Sequence, residues 1–194
     1  VFRDAEAHAP ARAILATNTS SLSVGRIAEA VRDPGRVLGM HFFNPVPVMK
    51  LLELVVAEST SPEARDAARA FGERLGKEVI VVKDVPGFAS SRLGVCLGME
   101  AIRMVEQGVA SPEDIDKAMR LGYNLPMGPL ELADMTGIDV LANACMAIYN
   151  DTGDPKYYPP PLIHRMIASG LLGRKTGKGY YDYSSGKQES YWKV

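Results

Sequence analysis

The spacing of apolar and polar positions changes once along the 194 residues. Up to about residue 85, short apolar runs alternate with amphipathic ones. The opening VFRDAEAHAPARAILATNTS reads as the tail of a helix, a proline break, and an apolar strand from Ala13 to Thr17. Val24, Ile27, Ala28 and Val31 then fall at i, i+3, i+4 and i+7, the spacing of a helix packed on a sheet. VLGMHFF (37–43) and MKLLELVV (49–56) both read as strands, joined by the Pro45-Val46-Pro47 loop. Ser61-Pro62-Glu63 opens a helix with an N-cap serine and proline at the first helical position; it runs to Leu75 and stops at Gly76. EVIVVKD (78–84) is a β-branched run expected to be a fully buried strand. Strand–helix alternation of this kind implies an α/β layered sheet.

After Asp84-Val85-Pro86-Gly87 the strand patterns end. Residues 88–107 predict a helix whose polar positions, Arg92, Glu100, Arg103 and Gln107, form one narrow stripe, so most of its sides should be buried. Ser111-Pro112-Glu113-Asp114 is a second helix start, and Gly122 ends that helix. Helical patterns follow at 129–149 and 160–170, and GRKTGKGYY reads as a mobile basic turn. A boundary near residue 86 follows: 1–85 a partial α/β domain, 86–194 an all-helical one. No internal repeat is visible.

Composition narrows the possible partners. A formal net charge of −1 gives no reason to expect nucleic acid or an anionic membrane. No apolar run is long enough to span a bilayer, and the first residues lack a signal-peptide pattern. Cys96 and Cys145 sit in apolar helical patterns and read as reduced core residues of a cytoplasmic protein. The three histidines and two cysteines match no metal-ligand spacing, so no metal is expected.

Chemistry concentrates in HFFNPVPVMKLLEL (41–54). Alternation puts Leu51, Glu53 and Val55 on one strand face, and a carboxylate among apolar neighbours needs a partner. The proline loop turns the chain back, so His41 can meet Glu53, and a Glu–His pair fixes the imidazole tautomer and raises its basicity. The competing reading is a hydrogen-bonded core histidine and a glutamate salt-linked elsewhere; spacing leaves both open.

Asn18-Thr19-Ser20-Ser21 follows a strand directly, where open α/β sheets bind ligands. It is equally a plain turn with one of its hydroxyls capping the helix at 24. Ser20, His41 and Glu53 also suggest a serine-hydrolase triad, but no G-x-S-x-G elbow is present. GRKTGKG (173–179) has the wrong spacing and setting for a phosphate loop, although Lys175 can still reach an anionic ligand. The methionines on helical faces fit core packing.

Taken together, NTSSL (18–22), HFFNPVPVMKLLEL (41–54), KDVPGF (83–88), EDIDKAM (113–119), PMGPLELAD (126–134) and GRKTGKGYYDY (173–183) resemble the 3-hydroxyacyl-CoA dehydrogenases, in order and over essentially the whole chain. The resemblance implies the C-terminal part of a Rossmann-type NAD-binding domain followed by a helical dimerisation domain. It implies hydride transfer between NAD and a 3-hydroxyacyl-CoA in fatty acid metabolism, with acyl-CoA as substrate and a homodimer as the assembly. His41 would be the general base and Glu53 its orienting carboxylate. Ser20 would hydrogen-bond the substrate oxygen, Asn44 would sit near nicotinamide and substrate, and Lys175 would reach the cofactor.

Two departures qualify the picture. The family's PGFxxNR pattern is PGFASSR here, so Ser91 stands where an asparagine would polarise the acyl carbonyl. The G-x-G-x-x-G strand–turn–helix that cradles the NAD pyrophosphate does not occur. The expectation is that those elements lie upstream of Val1 in a longer enzyme. The alternative is a catalytically incomplete dimeric module without NAD binding of its own.

Overall fold

Residues 43–50 are too few for a crossover connection between parallel strands. They reverse the chain instead, so that β2 (Val37–Phe42) and β3 (Leu51–Val56) pair antiparallel, with His41 opposite Glu53. The structure is a computed structural model and describes every residue except Ser21, Lys187, Tyr191, Lys193 and Val194. Its chain divides into two units, Val1–Ser90 and Ser91–Val194.

In the first unit, helix α1 (Phe2–His8) precedes β1 (Leu15–Thr17), and α2 (Val24–Ala28) leads to β2. After β3 come α3 (Pro62–Arg74) and β4 (Glu78–Lys83). The sheet order is β1-β2-β3-β4, with the β1–β2 and β3–β4 pairs parallel. This is a Rossmann-like layered sheet. Each sheet face has its own apolar cluster. Leu38, Met40, Leu52 and Leu54 meet Ala64 and Ala68 of α3 on one face. Val37 and Val55 meet Val24 and Ala28 of α2, together with Phe88, on the other. His41 and Glu53 share the parity of Val37 and Val55, so they project on the α2 face.

Close approach of the helices depends on two glycines. A Cβ on Gly39 would lie 2.8 Å from Val55 Cβ and 3.2 Å from Val24 Cγ2. A Cβ on Gly72 would lie 2.6 Å from Leu52 Cδ2.

Three expectations need correction in this unit. β4 is not fully buried: Ile80 is 40% and Val81 36% exposed. Among the described residues it pairs only with β3, which makes it an edge strand of the sheet, and β-branched composition does not reveal which strand lies outermost. The predicted helix at 24–31 stops at Ala28, although Val24 and Ala28 are its buried positions as expected. Its N-cap is Ser23, whose side chain accepts from Arg26 N–H, and not a hydroxyl of residues 19–20. Ser21, the other hydroxyl of that run, lies outside the described residues.

The second unit begins within the first turn of α4 (Ser90–Glu106) and continues through α5 (Pro112–Gly122), α6 (Pro129–Thr136), α7 (Ile138–Thr152) and α8 (Pro161–Ala168). Met99, Ile102, Leu130, Ile138, Ile148 and Ile163 form its centre. The helical pattern read at 129–149 is two helices: Gly137, at φ 104°, breaks it between α6 and α7. The unit is helical with one addition, the short antiparallel pair β5 (Tyr181–Asp182) and β6 (Glu189–Ser190).

The basic turn is a built loop. Gly173 N–H donates to Lys178 O, and the N–H groups of Tyr180 and Tyr181 donate to Asp134 at 2.9 Å each. None of the described helices is long and apolar enough to cross a membrane.

Candidate active site

The site starts from a cost. Glu53 is fully buried on a sheet face, where an unpaired carboxylate would be strongly unfavourable. Four donors converge on it. His41 Nδ1 lies 2.7 Å from Oε2, and Ser90 Oγ donates to the same oxygen at 2.9 Å. The N–H groups of Ser90 and Ala89 donate to Oε1 at 2.8 and 3.2 Å. Burial pushes the Glu53 carboxyl upward, but the His41 bond and both Ser90 bonds more than offset it, leaving it below the ordinary value.

An ionised carboxylate only accepts, so His41 Nδ1 carries the proton and donates. That fixes the neutral tautomer with its lone pair on Nε2. The imidazole packs against Phe43, with ring centroids 4.7 Å apart, and Phe88, 5.6 Å apart. Phe88 adopts φ 47°, and the Val85–Phe88 turn aims the start of α4 at Glu53. The pairing that spacing left open is therefore present, and among the described residues Glu53 has no salt link elsewhere.

The remaining residues are less concentrated. Ser20 is exposed in the loop after β1. No hydrogen bond joins it to His41 among the described residues, so the hydrolase triad is not assembled. Its neighbours are organised: Asn18 Oδ1 accepts from Phe42 N–H at 2.9 Å, and Thr19 Oγ1 accepts from Leu22 N–H at 2.8 Å. Asn44 is exposed at the cis Asn44–Pro45 bond. Ser91 lies half-buried in the first turn of α4, in the second unit. Lys175, also in that unit, is ion-paired with Asp139.

Sequence reasoning missed four polar residues. Ser90 sits on Glu53, and the signal available was that a buried carboxylate needs donors and a helix N-terminus supplies them. Asp84 accepts from Ser23 Oγ, Val24 N–H and Gly25 N–H, and so anchors the start of α2. Asp116 and Asp134 are buried in the second unit within motifs that gave no hint of their partners.

Residues 1–85 match the 3-hydroxyacyl-CoA dehydrogenase NAD binding domain, and residues 87–183 match the C-terminal domain of the same enzymes. The chain belongs to the 3-hydroxyacyl-CoA dehydrogenase family. It is 45% identical over 183 residues to a probable 3-hydroxybutyryl-CoA dehydrogenase of Bacillus subtilis, covering 94% of this chain and 64% of that protein. It is 42% identical over 184 residues to the human mitochondrial hydroxyacyl-coenzyme A dehydrogenase, covering 94% of this chain and 59% of that one. The crystal structure of (S)-3-hydroxybutyryl-CoA dehydrogenase from Ralstonia eutropha superposes with a TM-score of 0.92 at 44% identity, covering 94% of this chain and 65% of that chain. The chain thus spans less than two thirds of the length of these relatives.

For this dehydrogenase-family chain, the fit to NAD can be tested on the donor set. The polar loop 18–20 at the carboxyl end of β1 and the oriented His41 fit the reacting, nicotinamide end, because ligands of open α/β sheets bind beyond strand carboxyl ends. The glycine-rich pyrophosphate cradle is absent from this sequence.

Proposed function

We propose that the chain acts in the NAD-dependent interconversion of 3-hydroxyacyl-CoA and 3-oxoacyl-CoA, with His41 as general base. The observation that carries the reading is the buried 2.7 Å contact between His41 Nδ1 and Glu53 Oε2. It leaves Nε2 as the basic atom, ready to take the substrate's 3-hydroxyl proton as the C3 hydride departs. In the reverse direction the same nitrogen returns the proton to the 3-oxo oxygen. When bound, NAD supplies the hydride acceptor. Glu53 holds the ring orientation and favours the imidazolium formed on proton uptake. Phe43 and Phe88 restrict water around the ring.

Other assignments follow the same reading. Ser20 hydrogen-bonds the substrate oxygen, Asn44 lies toward the nicotinamide and substrate, Ser91 takes the acyl carbonyl, and Lys175 contributes to cofactor binding. The activity belongs to fatty acid β-oxidation. Leu93, 71% exposed on α4, and Leu121, 80% exposed on α5, support a homodimer through the helical unit. Free Cys96 and Cys145 support a cytoplasmic setting.

The test follows NADH absorbance with acetoacetyl-CoA. His41→Ala is expected to lower the rate by about 10²–10⁴-fold. A near-normal rate in that variant overturns the general-base assignment.

A further inference from the structure

Ser90 and His41 both address one oxygen of Glu53, and this sharing has a chemical consequence. Glu53 Oε2 accepts from His41 Nδ1 at 2.7 Å and from Ser90 Oγ at 2.9 Å, while Oε1 accepts from two backbone N–H groups. All four strong acceptor directions of the carboxylate are thereby used. We propose that Ser90 is a positioning residue for the base: its hydroxyl fixes the Glu53 oxygen that orients His41 and draws charge away from it. The inference rests on the general-base reading above and extends it to a residue that acts through Glu53.

The geometry separates Ser90's two contributions. Its N–H bonds Oε1 and survives any side-chain change. Its hydroxyl alone reaches Oε2, the oxygen that His41 uses. Without the hydroxyl, Oε2 keeps His41 as its one described donor, and the carboxylate can rotate about its terminal bond. A rotated carboxylate turns the imidazole and moves Nε2 off the line to the substrate hydroxyl.

The groups facing Glu53 are few. From β2 it meets His41, from β4 it stands opposite Ile80, and from the start of α4 it meets Ala89 and Ser90. Phe43 and Phe88 enclose the imidazole. Among the described residues, the only ion pair that includes Glu53 or His41 is the one between them. Burial raises the Glu53 carboxyl, and the bonds from His41 and from the Ser90 backbone and hydroxyl lower it. Removing one of these donors should therefore show on the carboxyl itself.

The experiment compares Ser90→Ala and Ser90→Thr with the unaltered protein by carboxyl ¹³C NMR, with Glu53 assigned through Glu53→Gln. In Ser90→Ala the Glu53 titration midpoint is expected to rise by about one pH unit, the worth of one hydrogen bond to a charged group. Ser90→Thr restores it, because the hydroxyl is kept. With acetoacetyl-CoA and NADH, Ser90→Ala is expected to lower kcat by about 3- to 10-fold at unchanged KM, and Ser90→Thr to recover it. An unmoved Glu53 midpoint in Ser90→Ala, or an effect on KM alone, overturns the inference. Loss of rate in His41→Ala together with an unmoved midpoint sinks Ser90's role and spares the base. Full rate in His41→Ala removes the general-base reading itself, and the positioning role with it.

Discussion

The hydroxyl of Tyr181 donates to Asp116 at 2.7 Å, joining groups 65 positions apart in the interior of the second unit. The same tyrosine donates its N–H to Asp134 at 2.9 Å. One residue thus links the carboxylate that accepts from the start of α6 to the carboxylate that holds the basic turn. Leu130 and Glu131 N–H groups complete the Asp116 set, and Tyr180 N–H and Tyr183 hydroxyl complete that of Asp134. Burial and the adjacent Asp116 push the Tyr181 phenol above its usual range, so it remains a donor at any ordinary pH.

Tyr181→Phe keeps the ring in the core and deletes only the hydroxyl. It leaves a fully buried carboxyl group one donor short, a loss of about 1–3 kcal/mol. Urea denaturation should show the midpoint fall with an unchanged slope. An unshifted midpoint would mean that the Tyr181–Asp116 bond contributes nothing net.

Acid stability should carry the signature of Glu53. Its folded pKa is lowered from 4.5, so its contribution is fully present above about 4.5 and is lost as pH falls through the lower folded value. Asp134 has the opposite sign. Burial raises it above 3.8, so its contribution is present below that value and lost as pH rises through the folded one. Glu53→Gln removes the first effect and leaves the second. The variant is expected to be less stable at pH 7 and to lose less stability than the unaltered protein between about pH 5 and pH 3. Parallel curves from urea titrations at stepped pH would refute the linkage.

Gly173 and Gly170 both have positive φ, at 93° and 70°, yet they should respond very differently to alanine. A Cβ on Gly173 would lie 2.2 Å from Asp134 O and 2.6 Å from its Cα, both backbone atoms. Nothing lies within 4 Å of a Cβ on Gly170. Gly173→Ala is therefore expected to cost more than about 4 kcal/mol, and Gly170→Ala only the left-handed backbone penalty of about 1–2 kcal/mol. Thermal melts of the two variants give the comparison, and equal midpoints would contradict it.

These contrasts show where the sequence was informative. Helix starts at Ser61 and Ser111 were legible because a capping serine followed by proline is a local signal. The β2–β3 return was legible because residues 43–50 allow no other connection. The His41–Glu53 pair needed more than spacing. Alternation placed Glu53 on an apolar face, and only the register showed what stands opposite it. The exposure of Ile80 and Val81 depends on which strand lies outermost, which no local pattern encodes. Ser90 escaped notice for a related reason: its partner lies 37 positions away, and the turn that joins them depends on the unusual backbone of Phe88.

Asn18 gives the sheet a last rung that backbone alone does not provide. The β1–β2 ladder closes at Thr17 and Gly39, and the Asn18 side chain then takes Phe42 N–H, directly after His41. The polar loop and the strand carrying the imidazole are consequently clamped to the same reference point. A displacement of one carries the other with it. The spacing between loop and imidazole is thus set by the fold itself, so a reaction that used both would meet them already ordered.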